Sequence, residues 1–128
     1  MLIHPTAVIS EEAELEEGVS IGPFAVVRRG VKIGAGTRVL SHAVVGNEFG
    51  FVRIGKQNII HPGAVIGGVP QDLKYDGEPT ELVIGDNNVF REFVTVNSGT
   101  TAGGGQTRVG NDNLLMAYVH IAHDCQLG

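Results

Sequence analysis

The residues best suited to chemistry are the run His120-Ile121-Ala122-His123-Asp124-Cys125. A neutral imidazole has a reference pKa of about 6.5, near working pH, so His123 can act as a general base. Asp124 beside it can orient the ring or favour its protonated form. The same pattern also describes a surface histidine next to a turn aspartate. Which reading applies depends on where the surrounding chain puts these side chains. Cys125 is expected to be a small buried residue, the usual fate of a free cysteine, because a covalent thiol mechanism needs an outward, activated sulfur.

Two loop-like segments carry further polar candidates. The first, Gln71-Asp72-Leu73-Lys74-Tyr75-Asp76-Gly77-Glu78-Pro79-Thr80, sets an acceptor at Asp72 two residues from a donor at Lys74. That pair suits a polyhydroxyl or phosphate ligand, although charged loop residues are usually just solvated. The second, Gly103-Gly104-Gly105-Gln106-Thr107, has no P-loop lysine and no helix to follow, so it reads as a flexible or close-packed turn.

The elements that must position these residues are announced by a period of six. Aliphatic anchors fall at Ile3, Ile9, Leu15, Ile21, Val27, Ile33, Val39 and Val45, slip, and resume at Ile54, Ile60 and Ile66. They return at Ile84, Phe90 and Val96, and again at Val109, Leu115, Ile121 and Leu127. Four places after each early anchor stands a small or β-branched residue, such as Ala7, Val19, Ala25 or Ala43. Neither a helix at 3.6 residues per turn nor a lone hairpin has this period. A short strand plus a corner does, and three such units close a triangular coil that stacks on the next about 4.8 Å away.

Taken in threes, the anchors give about six coils with three faces. Face one carries Ile3, Ile21, Val39, Ile60, Phe90 and Leu115; face two carries Ile9, Val27, Val45, Ile66, Val96 and Ile121. Leu15, Ile33, Ile54, Ile84, Val109 and Leu127 make face three. Each interruption of the rhythm lies between face two and face three. Loops are therefore expected to emerge along one corner, and His123, two places after the face-two anchor Ile121, is expected to project outward beside them. Loops gathered on one edge of a rigid scaffold are where a site is built. His4, His42 and His61 fall on face one, away from that edge.

Composition agrees with an all-β chain and excludes several classes of function. There are 17 Val and 10 Ile against 8 Leu, and 19 Gly among 128 residues, which rules out a helical bundle. With 42% apolar residues and a net charge of −5, disorder is not expected. The acidic balance argues against a nucleic-acid or anionic-membrane surface, and the sequence has no run of eighteen apolar residues of the kind that spans a bilayer as a helix. A single cysteine and the absence of a basic-then-apolar start lead to the expectation of a cytoplasmic protein. Zinc needs three converging ligands, and no third histidine falls on the coil adjacent to His120 and His123, where Val96-Asn97-Ser98 stands. No metal site is expected.

Together these segments, with Asp112-Asn113-Leu114-Leu115-Met116 between them, resemble the acyl-[acyl-carrier-protein]–UDP-N-acetylglucosamine O-acyltransferases, hexapeptide-repeat enzymes that open lipid A biosynthesis. The resemblance covers the whole chain. It implies a left-handed parallel β-helix, a cytoplasmic location, and a homotrimer with each site between two subunits. It implies transfer of a 3-hydroxyacyl group from acyl carrier protein to the 3-hydroxyl of UDP-N-acetylglucosamine, without metal or cofactor. His123 would be the base and Asp124 its support, while Asp72, Lys74 and His120 would contact the nucleotide sugar. Two departures stand out. Val96-Asn97-Ser98-Gly99 replaces a pattern that often has a basic residue where Ser98 stands, which predicts one ligand contact fewer. Residues 1–128 would form the β-helix only, without the further coils and helical domain of the family, so the alternative is a shortened, inactive trimerisation scaffold.

Overall fold

The computed structural model describes residues 2–73 and 75–128 and contains strands, turns and loops but no helix among them. The strands are short because each hexad has room for only two to four extended residues before the chain must turn. They align into three parallel six-stranded sheets. One sheet is Leu2–Ile3, Ser20–Ile21, Arg38–Val39, Ile59–Ile60, Val89–Phe90 and Leu114–Leu115. The second is Val8–Ile9, Val26–Val27, Val44–Val45, Val65–Gly68, Thr95–Asn97 and His120–Ile121. Glu14–Leu15, Val31–Ile33, Phe51–Ile54, Glu81–Ile84, Gln106–Val109 and Gln126–Leu127 form the third. The result is a left-handed parallel β-helix of about six triangular coils.

Register follows the anchors. Ile21 pairs with Val39, Val39 with Ile60, Ile60 with Phe90 and Phe90 with Leu115, so one apolar side chain per coil stacks inward on each face. In the interior coils these anchors are fully buried, together with the small inward residues Val19, Ala25, Ala43, Ala64 and Val94. Each buried Val, Ile or Phe contributes about 1.5–3 kcal/mol, and with no helix to pack against, this stacked column is the whole core. The first and last coils have a neighbour on one side only, which leaves Ile3 and Leu127 exposed.

That geometry corrects one expectation. Cys125 occupies the inward position of the sixth coil, where its carbonyl accepts the Arg108 amide, yet it is exposed. The equivalent residue one coil earlier, Thr107, is fully buried because the sixth coil covers it. Inward position buries a side chain only when another coil lies over it.

The interruptions of the period all leave at the corner between the second and third sheets. They follow Val44–Val45, Val65–Gly68 and Thr95–Asn97, and they stack on one another as a continuous ledge. Asn47 pins the first insertion: its Oδ1 accepts the Phe49 and Gly50 amides at 2.8 and 2.9 Å, while its Nδ2 donates to the Gly67 carbonyl at 2.8 Å. Phe49 then meets Tyr75 of the second insertion edge-on, with ring centroids 6.2 Å apart. Thr80 donates its hydroxyl to the Gly99 carbonyl, and the Gly99 amide donates to Glu81, joining the second insertion to the third.

Candidate functional site

The sixth coil turns from its second-sheet strand to its third-sheet strand through Ala122–Cys125, directly beneath the third insertion. Asp124 takes a left-handed backbone conformation there, φ 65°, which an aspartate tolerates better than most residues. Its amide donates to the buried Thr107 hydroxyl at 2.7 Å, fixing the backbone from the coil beside it. Its carboxylate is held by three donors. Oδ1 accepts the Thr100 amide at 2.8 Å, and Oδ2 accepts the Thr100 hydroxyl at 2.6 Å and His123 Nδ1 at 2.8 Å.

The electrostatics fix the protonation pattern. Burial pushes the Asp124 carboxyl up, but hydrogen bonds from Thr100 and His123 outweigh it and hold the group below the usual carboxylate range. At neutral pH the group is therefore ionised and can only accept. His123 Nδ1 must be the donor in their contact, which leaves the lone pair of neutral imidazole on Nε2. The His123 side chain is 30% exposed and that of Asp124 12%, so the ring reaches solvent while its partner is sheltered. Such a pair can take a proton from a hydroxyl presented at the ledge.

The glycine run is close-packed at Gly103 alone, while Gly104 and Gly105 border open space. Gly103 lies against the Asp124 carboxylate, and its amide donates to the Thr100 hydroxyl at 3.0 Å. Gly104 and Gly105 take φ of 111° and 82°, which allow the chain to double back so that the Gly105 amide reaches the Thr100 carbonyl.

His120 sits on the outer side of the second sheet, directly opposite Thr95, with its Nδ1 2.8 Å from the Thr95 hydroxyl. It is exposed and shares its strand with the approach to His123. Asp72 is half-buried in the second insertion, and its carbonyl accepts the Tyr75 amide at 3.0 Å. Lys74 lies outside the described residues. Ser98 is fully buried with its hydroxyl 3.3 Å from Asn47 Nδ2, so it ties the first insertion to the third. Among the described residues no three His, Cys, Asp or Glu side chains gather as a metal-ligand set, and no helix is long and apolar enough to cross a membrane.

Comparison with known proteins names the scaffold. The bacterial transferase hexapeptide family (six repeats) matches residues 12–47. The same period of six continues through the rest of the chain. Over 98% of its length it is 48% identical to the acyl-[acyl-carrier-protein]–UDP-N-acetylglucosamine O-acyltransferases of Thermodesulfovibrio yellowstonii and Saccharophagus degradans. It covers 48% of each, so the chain spans about half the length of the curated relatives it matches. The UDP-N-acetylglucosamine O-acyltransferase structure from Moraxella catarrhalis superimposes on all of this chain with a TM-score of 0.95 at 48% identity, over 49% of its own length.

In this chain His123 and Asp124 stand out in the sequence, and Thr100, Thr107 and Thr95 do not. Each is a threonine on the coil preceding the residue it holds. Thr95 precedes the anchor Val96 as His120 precedes Ile121, so the register carries a signal that could have found it. Thr100 lies inside an insertion, where no anchor assigns it a neighbour.

Proposed function

We propose that this chain is the base-bearing β-helical part of an acyl-[acyl-carrier-protein]–UDP-N-acetylglucosamine O-acyltransferase. In this reading His123 Nε2 removes the proton from the sugar 3-hydroxyl. The oxygen attacks the thioester carbonyl of a 3-hydroxyacyl group on the carrier protein. The carbon–sulfur bond breaks, and the departing thiolate takes the proton from the imidazolium to leave as a thiol. Asp124 keeps the ring oriented and stabilises its positive charge. Asp72, Lys74 and His120 contact the nucleotide sugar, and the site is completed between two subunits of a cytoplasmic homotrimer. No bound cofactor is required for any step.

The observation that carries the reading is the hydrogen bond from His123 Nδ1 to an ionised Asp124, set on the corner where all three insertions emerge. Nearly half of all positions are shared with enzymes of this name, which supplies the substrates. Replacing His123 with Ala in the acyltransferase is expected to lower turnover by about 10²–10⁴-fold, the usual worth of a general base. Activity within tenfold of wild type would overturn the assignment.

The half-length match supports a second reading, in which these 128 residues alone are an inactive trimerisation scaffold. Steady turnover by the 128-residue chain, given UDP-N-acetylglucosamine and an acyl carrier thioester, would refute that second reading.

A further inference from the structure

The Asp124 carboxylate is fixed by more than its histidine. A carboxyl group turns easily about its last bond, because that torsion has broad, roughly two-fold wells. A single hydrogen bond to an imidazole leaves that freedom largely intact. Here both oxygens are engaged by one residue, since the Thr100 amide reaches Oδ1 at 2.8 Å and its hydroxyl reaches Oδ2 at 2.6 Å. The direction of the hydroxyl is also determined. It accepts the Gly103 amide at 3.0 Å, so its own hydrogen is available for the carboxylate. Thr100 is buried, at 3% exposure, which keeps water from competing for these contacts.

We infer that Thr100 is a positioning residue: by donating its amide and its hydroxyl to Asp124, it pins the carboxylate against Nδ1 of His123 and holds the imidazole in the tautomer whose Nε2 lone pair is free. The inference rests on the reading of His123 as the base and deepens it. Histidine in water prefers the opposite tautomer, with the proton on Nε2, which cannot accept a proton there. Something must therefore hold the ring in the less favoured form. Asp124 does so directly, and Thr100 does so through Asp124. The third insertion thus has a defined task, because it delivers Thr100 to a carboxylate 24 residues further along the chain.

Ring-nitrogen chemical shifts of ¹⁵N-labelled histidine test this on the 128-residue chain, at a pH where His123 is neutral. In the wild type the Nδ1 shift is expected to be that of a protonated nitrogen and the Nε2 shift that of a bare one. Thr100→Val keeps the side-chain volume and the amide but removes the hydroxyl donor. It is expected to move both shifts at least halfway toward the tautomer mixture of free histidine, and Thr100→Ser to restore them. If Thr100→Val does not fold, Thr100→Ala provides the same readout. Wild-type shifts in the variant lacking the hydroxyl, or failure of serine to restore them, would overturn the inference. The readout does not require turnover. An active His123→Ala enzyme would therefore strike the functional reading alone, and an unchanged tautomer would strike only the role of Thr100.

Discussion

The Gly103 backbone runs so close to the Asp124 carboxylate that a side-chain carbon at position 103 would overlap Oδ2. The loop that carries Thr100 and the turn that carries Asp124 are thus in contact through a glycine with no room to spare. Gly103→Ala is expected to push the carboxylate off the Thr100 donors. Loss of a charge-assisted hydrogen bond lowers stability by about 1.5–3 kcal/mol, readable as a lower urea midpoint. The Thr100 amide proton, now without its carboxylate acceptor, should move upfield. An unmoved Thr100 resonance would show that Asp124 is not held as described.

Phe90 is the largest fully buried side chain and the one aromatic anchor on the first sheet, stacked between Ile60 and Leu115. Phe90→Ala should leave a cavity at the middle of the fifth coil and cost about 3–5 kcal/mol. Neighbouring coils cannot close in, because their register is fixed by the ladders on all three faces. Equilibrium urea unfolding measures the loss.

Asn88 is fully buried at the corner between the third and first sheets and links three coils. Its amide nitrogen donates to the Asn58 side-chain oxygen at 3.1 Å and to the Gly110 carbonyl at 2.8 Å, while its own oxygen accepts the Asn113 amide at 2.9 Å. Asn88→Ala leaves the half-buried Gly110 carbonyl and Asn113 amide without these partners, at a cost of about 0.5–1.5 kcal/mol for each hydrogen bond lost. The exposed neighbour Asn87 makes the control, although its φ of 59° favours glycine over alanine as the replacement. Asn87→Gly should change the midpoint by far less than Asn88→Ala.

Acid stability should carry the signature of Asp124. Its carboxyl is held below the usual range in the folded chain, so the unfolded chain takes up a proton first as pH falls. The stabilisation is then fully present above the unfolded value of about 3.9 and disappears as pH drops through the lower folded one. Unfolding free energies of wild type and Asp124→Asn should therefore differ most at neutral pH and converge below about pH 4. A gap that does not change with pH would mean that the depression is absent.

Most of the architecture is legible in the sequence. The anchors from Ile3 to Leu127 fall on the three faces to which the period of six assigns them, because an inward side chain recurs once per strand-and-corner unit whatever its neighbours are. The corner that bears the insertions was legible for the same reason, since a break in the rhythm marks where the chain leaves the coil. Handedness was not legible, because a period says how often the chain turns and not which way. Cys125 is exposed where its spacing predicts burial, since alternation sets the direction of a side chain but not whether another coil covers it.

Residue types at fixed local spacing set the repeating coil, the anchor column and the place of a histidine–aspartate pair on the loop-bearing edge. Only the folded chain decided that Thr100 meets Asp124 and that Thr107 fixes its backbone. Stacked coils about 4.8 Å apart pair residues that hold the same place relative to an anchor, as Thr95 and His120 do before Val96 and Ile121. Thr100 stands inside an insertion, and the Thr107 hydroxyl and the Asp124 amide meet across a turn, where anchor spacing assigns no partner. The contacts that hold the pair in order thus become visible only once the coils are stacked.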